Sequence, residues 1–447
     1  MLVSKEWLSE YINIDANTED LAEKITRSGI EVDSVTHYGD DIKKLVVGYV
    51  LSKEKHPEAD KLNICKVDVG EEDPVQIVCG APNVDKDQYV IVVRVGGRLP
   101  GGVKIKRAKL RGEVSEGMIC SLQEIGIDAN VMPKKYADGI YVFSNEPTPG
   151  SDALEALLLN DDVLDFDLTP NRADCLSMLG AAHEVSALYG NDIQYPNTSL
   201  DESEEQASQS LSVTVQDQEG VPFYAARVVK NVTIAPSPSW MQSRLMKAGI
   251  RPINNVVDVS NYVLLEYGQP LHMFDQDQIG SDQIVARYAH ENEKITTLDN
   301  VERELLTSDL VITNGEEPIA IAGVMGGDFS EVTENTQNVV IESALFNATN
   351  VRQTSRRLGL RSEASSRFEK GIASERVLDA LDRAAKLLQD IAGGTVLSEV
   401  VSDGTLPEWS RTIDITTQDV NQLIGFDLST DEINTIFNRL GFETIVS

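Results

Sequence analysis

Between Leu45 and Phe143 the hydrophobic pattern changes period, and this change limits the possible folds more than any other feature of the chain. The runs VVGYVLSK, KLNICKVDV, PVQIVCG, QYVIVVRV and GIYVF are separated by Gly, Pro, Asn and Asp turns, a pattern of short strands joined by tight connections. Strands of that length and spacing predict a small closed barrel. On either side the apolar residues return to helical spacing. A helix is expected from Thr18 to Ser28, capped by Asn17 or Thr18, with Leu21 and Ile25 inward and Gly29 as its stop, followed by the strand-like EVDSVTHY. After Pro149 and Gly150, VLDFDL reads as extended, and Asp174 reads as the cap of a helix through Leu176, Leu179, Val185 and Leu188 to Gly190. Residues 1–39 and 150–195 are therefore expected to form one discontinuous N-terminal α/β domain. The barrel, residues 40–149, would be inserted at a loop tip, where insertions are well tolerated.

The expected class is α+β multidomain, since 447 residues exceed what one core usually covers. The barrel reads as an OB-fold, whose curved strand face and loops suit oligonucleotides. Asn191 to Ser210 is acidic, polar and almost free of apolar residues, so it reads as a linker. A large α+β domain is expected over 211–405. In it Ser237 caps and Pro238 opens a helix through Trp240 and Leu245 to Gly249, and another helix runs from Ser374 through Val377, Leu381 and Leu388 to Gly393. Residues 406–447 read as a truncated winged-helix-like unit. One helix spans Thr417 to Gly425, and Ser429 with Glu432 forms a capping box for another, whose Ile433, Ile436, Phe437 and Leu440 face inward. The closing ETIVS reads as the start of a strand, as expected of a fragment of a longer polypeptide.

A net charge of −33 argues, taken alone, against a nucleic-acid partner. The charge is uneven, though. Arg98, Lys104, Lys106, Arg107, Lys109 and Arg111 follow one another without an acid, and a second basic cluster runs from Arg352 to Lys370. Local basic faces on an acidic body fit a protein that binds a polyanion at chosen places; the alternative is two solvated faces. Cys65, Cys79, Cys120 and Cys175 show no metal or redox spacing and read as reduced core residues. With no membrane-length apolar run and no signal layout in MLVSKEWLSEYINI, a cytoplasmic location is expected.

There is no GxSxG elbow, Walker loop or HExxH. The candidate chemistry lies in the large domain. In RPINNVVDVSNYVLLEYGQPLHMFD, Asn254 caps a helix bearing Ser260 and Asn261, Gly268 ends it, and Pro270 sends His272 out on an ordered loop. One reading makes His272 a site residue; the other has its ring satisfied by a loop carbonyl. Glu342 follows the apolar run Val339 to Ile341, where a carboxylate needs a partner. That partner is either a ligand or an arginine of the 352–367 cluster. The small run AIAGVMGG, with Ala322 and Gly323, and Ser362 and Ala364 in GLRSEAS complete the set.

VGYVLSKEKHPEADKLNICKVDVG with CGAPNV and GMICS resembles the tRNA-binding barrel module of several translation proteins. LTPNRADCLSMLGAAHEV, RPINNVVDVSNYVLLEYGQPLHMFD, AIAGVMGG and SRRLGLRSEASSRFEKG, in that order, resemble the β subunit of bacterial phenylalanyl-tRNA synthetase, a family whose members are considerably longer than this chain. The resemblance implies an editing pocket that hydrolyses Tyr wrongly joined to the phenylalanine tRNA, carried onto Ser260, Asn261, Pro270, His272, Ala322, Gly323, Glu342, Ser362 and Ala364. Glu342 would accept the phenol of Tyr and be left unpaired by Phe, while His272 would orient a water or the terminal ribose. Ser260 and Ser362 stand where the family often has Thr, which alters the pocket's width. The resemblance also implies a separate α subunit in an assembly of two α and two β chains, and the phenylalanine tRNA as partner, with no DNA and no membrane. ATP belongs to the α partner and the magnesium ligands lie beyond Ser447, so no metal residue is expected here. Competing readings are a noncatalytic tRNA-binding or assembly protein and a free-standing aminoacyl-tRNA deacylase. A scaffold predicts an ion-paired Glu342, whereas editing predicts an open cavity between Glu342 and His272.

Overall fold

The computed structural model describes residues 1–408 and 410–446, and its architecture is mixed α/β with several cores. Near the N-terminus the strand Asp162–Asp167 lies between Leu2–Ser4 and Glu31–His37, antiparallel to both, so His37 sits directly opposite Asp162. The helix Thr18–Ser28 is closed as its sequence demands: the Asn17 side chain accepts from the Asp20 N–H, and Gly29 takes φ 114°. The helix Met178–Tyr189 is capped by Ser177 and not by Asp174. Residues Ala173–Cys175 form a 3-10 turn instead, and Arg172 holds the Asp174 carboxylate through Nε (3.1 Å) and Nη2 (2.8 Å).

Between these strands runs an antiparallel sheet in the order Gly117–Cys120, Tyr89–Leu99, Lys43–Lys55, Asn63–Asp68, Val75–Cys79. The continuous apolar run of Tyr89–Leu99 has its reason here: Ile91 and Val93 enter one core, Val90 and Val92 the other. GIYVF contributes only the single bridge Val90↔Val142. All four cysteines are free and buried. Burial pushes the Cys65 thiol up to about 11, which leaves it inert.

The large unit is built on a sheet in the order Glu202–Gln206, Thr395–Ser398, Phe223–Lys230, Val339–Leu345, Leu271–Asp275. Alternation assigns its faces. Phe223, Ala225, Met273 and Ile341 point to a helical layer made by Ser239–Lys247, Asn255–Tyr267 and Arg376–Ala392, and that core runs without a break into Trp7, Leu164 and Met178. Tyr224, Ala226, Phe274 and Val340 point to a second, five-stranded sheet that includes Pro318–Ile321 and Met325–Gly326. Ion pairs tie the helical layer to the N-terminal segment. Lys247, 1% exposed, meets Asp161 (2.8 Å) and Glu6 (3.2 Å), and Arg244 meets Glu6 (3.1 Å) and Glu10 (2.5 Å). Arg251 reaches the segment inserted between His37 and Asp162, donating to the Asn130 (2.8 Å) and Ala129 (3.1 Å) carbonyls.

Several expectations are corrected. The supposed linker contains the strand Glu202–Gln206, parallel to Thr395–Ser398, because ladder bonds need backbone and not apolar side chains. The Ser237 hydroxyl donates to Asp258 (2.5 Å) and is not a cap; the helix starts at Ser239 with Pro238 in the cap position, and stops at Lys247. The hydroxyl of Ser374 donates to the Pro407 carbonyl (2.8 Å), so that helix starts at Arg376. Of the residues expected inward on Thr430–Arg439 only Ile433 is buried, while Ile436 and Leu440 are exposed. Residues 443–446 form no strand, and Ser447 lies outside the described residues.

Candidate active site

His272 lies on a strand, not on a loop. Gly268 closes the preceding helix at φ 77°, and the Gln269 amide donates to the Ala344 carbonyl (3.1 Å), which draws the chain onto the edge of the sheet at Leu271. The strand is antiparallel to Val339–Leu345, and His272 is directly opposite Glu342. Directly opposed residues share a face with Cβ atoms about 5 Å apart. Glu342 therefore continues its strand, which runs on to Leu345, and faces the interior next to the imidazole.

Among the described residues no arginine meets Glu342. Its Oε2 accepts a hydrogen bond from the Tyr224 hydroxyl (2.6 Å), Tyr224 being two residues from Ala226, the partner of Glu342 on the other flanking strand. Burial pushes the Glu342 carboxyl up to about 7, and the Tyr224 hydrogen bond only partly offsets this. Of the arginines that were candidates for pairing, Arg357 meets Asp309 and Arg367 meets Glu363 (2.6 Å), while Arg352, Arg356 and Arg361 are exposed. Nor is His272 satisfied by a carbonyl. Its buried Nε2 has no hydrogen-bond partner, its ring is edge-on to Phe274 with centroids 4.4 Å apart, and burial pushes it down to about 4, so the ring is neutral near pH 7.

The small-residue run packs on this pair. A Cβ on Gly326 would stand 2.8 Å from His272 Nε2, so only glycine fits. Gly323, at φ 68°, lies so close to Phe346, Phe368 and Val351 that a Cβ would come within 3.0 Å of each, and the Ala322 N–H donates to the Leu310 carbonyl (3.0 Å). The Ser362 hydroxyl caps the helix Glu363–Phe368, which carries half-buried Ala364, and donates to the Val324 carbonyl (3.0 Å), fastening that helix to the run. The structure thus brings His272, Glu342, the 320–327 run and Ser362 together, with buried Pro270 just before the His272 strand. Ser260 and Asn261 are not in this group. They sit on the helix that covers the opposite face, and the Ser260 hydroxyl donates to its own Val257 carbonyl (2.7 Å).

Between His272 and Glu342 the packing is close. A cavity of about 300 Å³ lies elsewhere, lined by Lys5, Glu6 and Asp161, and another, of about 140 Å³, is lined by Asp174, Arg367 and Arg376. Gly326 lies against the imidazole, and the Tyr224 hydroxyl lies on the carboxylate. Reading the sequence for chemistry missed both Tyr224 and Gly326. FYAARVV is buried on both faces, and period-two alternation puts Tyr224 with Ala226 and Val228 on the face that Glu342 shares.

In the basic run, Lys104, Lys106, Arg107, Lys109 and Arg111 are exposed on two small hairpins, while Arg98 is half-buried opposite Lys43 and Lys104. Arg107 pairs with Glu116 (3.1 Å). The described residues contain one group with metal-ligand spacing, Asp174, Cys175 and Glu184. It does not fit magnesium: Arg172 binds both carboxylates, and the third donor is a thiol whose burial raises it far above its usual range, whereas magnesium takes an octahedron of oxygens. No helix among these residues is long and apolar enough to cross a membrane.

Residues 220–393 match the family described as "B3/4 domain", and residues 45–155 the family described as "Putative tRNA binding domain". The chain therefore joins the class of proteins that combine a B3/4 domain with a tRNA-binding module. It is 66% identical over 447 residues to the phenylalanine–tRNA ligase beta subunit of Staphylococcus aureus (strain bovine RF122 / ET3-1), covering 100% of this chain and 56% of that one. It is 67% identical over 444 residues to that of Staphylococcus haemolyticus (strain JCSC1435), covering 99% and 56%. The chain spans about half the length of these relatives. An N-terminal fragment of the phenylalanyl-tRNA synthetase beta subunit from Pyrococcus horikoshii is 16% identical, with a TM-score of 0.31, over 64% of this chain and 79% of that one.

Proposed function

We propose that this chain is the editing and tRNA-handling part of a phenylalanine–tRNA ligase β subunit, and that His272 and Glu342 form the centre of a pocket that hydrolyses Tyr-tRNA(Phe). The observation that carries the reading is an unpartnered imidazole placed directly opposite a buried carboxyl that no cation neutralises. A structural pair would be closed by a guanidinium or a carbonyl. Glu342 already takes a phenol hydroxyl, that of Tyr224, through Oε2, which is the interaction that would tell Tyr from Phe. A pocket shaped only for an aromatic ring rejects one extra hydroxyl by roughly a hundredfold, so the activating site needs this second test. Neutral His272 would hold a water or the terminal ribose through Nε2, and Ala322, Gly323, Ser362 and Ala364 would form the wall. Ser260, Asn261 and Pro270 would support it from the helix and the turn.

The rest of the reading follows the family. The 40–149 segment is an OB-type barrel, inserted in a discontinuous N-terminal domain of residues 1–39 and 150–195, and its basic flap meets tRNA. The editing domain covers 211–405, and 406–447 begins a winged-helix-like unit. A separate α chain activates phenylalanine with ATP and magnesium in a cytoplasmic assembly of two α and two β chains. In the complete two-chain enzyme, His272→Ala and Glu342→Ala should leave Phe charging near normal while Tyr-tRNA(Phe) accumulates. The closed packing around the pair favours a second reading, a scaffold without catalysis, which predicts unchanged clearance of Tyr-tRNA(Phe) in both variants.

A further inference from the structure

The cavity of about 140 Å³ lies where the helix that carries Ala364 hands over to the Arg376 helix, against the 3-10 turn at Asp174. Two guanidiniums line it. Arg367, with a side chain 3% exposed, donates from Nε to the Leu176 carbonyl (3.1 Å) and from Nη1 to Glu363, leaving Nη2 without a protein acceptor among the described residues. Arg376 donates from Nη1 to the Tyr267 carbonyl (2.9 Å) and the Ser177 hydroxyl (3.2 Å), and forms no ion pair among the described residues. The carboxylate in the wall, Asp174, is held by Arg172. The Arg376 helix begins at this wall, where the Arg376 N–H is already taken by the Ala373 carbonyl (3.2 Å), so the positive charge of the cavity comes from the two guanidiniums. Gly268, Gly371 and Ala373 keep the space open. The volume is ample for a small oxyanion.

We propose that this cavity is a phosphate-binding site, in which the free N–H groups of Arg376 and Arg367 grip one phosphate group through charge-assisted hydrogen bonds. The phosphate comes either from an RNA strand or from free inorganic phosphate. The site is independent of the hydrolytic reading of His272.

The test is a calorimetric titration of the 447-residue chain with inorganic phosphate at constant ionic strength. One saturable site is expected. Arg376→Gln should weaken it at least tenfold, and so should Ala373→Glu, which puts a carboxylate into the cavity from an exposed position and leaves both arginines in place. Circular dichroism confirms that each variant folds. Absence of saturable uptake by the parent chain, or an unchanged affinity in folded Ala373→Glu, overturns the proposal. Competition with a short single-stranded RNA then separates the sources: displacement of phosphate identifies a phosphodiester, and its failure identifies the free ion.

Discussion

Glu342→Gln should make the protein more stable as pH rises, by an amount the burial of this carboxyl defines. The folded carboxyl sits at about 7 against 4.5 for an open chain, because burial disfavours its charged form more than the Tyr224 hydroxyl favours it. A carboxyl with a raised folded pKa gives its full contribution below pH 4.5, and loses it as pH climbs through about 7. The gap is 7 − 4.5 = 2.5 units, worth about 3 kcal/mol at 1.36 kcal/mol per unit. Glutamine keeps an oxygen for Tyr224 and cannot ionise. The stability difference between Glu342→Gln and the parent should therefore move by about 3 kcal/mol in favour of the variant between pH 4.5 and 8. His272 titrates in the opposite sense, losing its contribution as pH falls from 6.5 towards about 4, but it is present in both proteins and cancels. Urea unfolding at a series of pH values measures the effect. Fluorescence of Trp7 and Trp240, which both pack on Tyr262, reports the core shared by the large unit and the N-terminal segment. Parallel pH curves for the two proteins would refute the reasoning, and a slope of opposite sign would mean that a cation neutralises the carboxylate.

Two other predictions concern the site and the flap. Gly326→Ala puts a methyl against the imidazole, so stability should fall by about 1–3 kcal/mol and clearance of Tyr-tRNA(Phe) by about a hundredfold, read by thermal melting and a deacylation assay; wild-type clearance would show that the ring's position is unimportant. Reversing Lys104 and Lys106 to Glu should weaken tRNA binding and make the slope of log affinity against log salt shallower by about one per lost phosphate contact. An unchanged slope would remove the flap from the contact surface.

Helix ends written in adjacent residues were legible in the sequence. Asn17 and Gly29, and Asn254 and Gly268, each cap with their own side chain or positive φ, and both helices are bounded as expected. Where a competing long-range partner existed, the local rule failed: Ser237 and Ser374 resemble caps, yet Asp258 and the Pro407 carbonyl claim their hydroxyls. Strand pairing is non-local in the same way. His272 and Glu342 are separated by many residues in sequence and become neighbours only through the register of two antiparallel strands, which no local pattern encodes. The types of residue in the site could be read from the motifs, but the Tyr224 phenol and the closeness of Gly326 depend on how three strands and a second sheet meet.

The chain leaves for the barrel segment at His37 and returns at Asp162, paired across one rung of sheet. That mount is braced on its far side by Arg251, which grips the Asn130 and Ala129 carbonyls, and by Met246, which packs into the core of the inserted segment. Hinge and strut together make the appendage a fixed ruler instead of a swinging arm. The exposed basic run is thereby held at a set span from His272, and cutting the strut would loosen that span while leaving both ends intact.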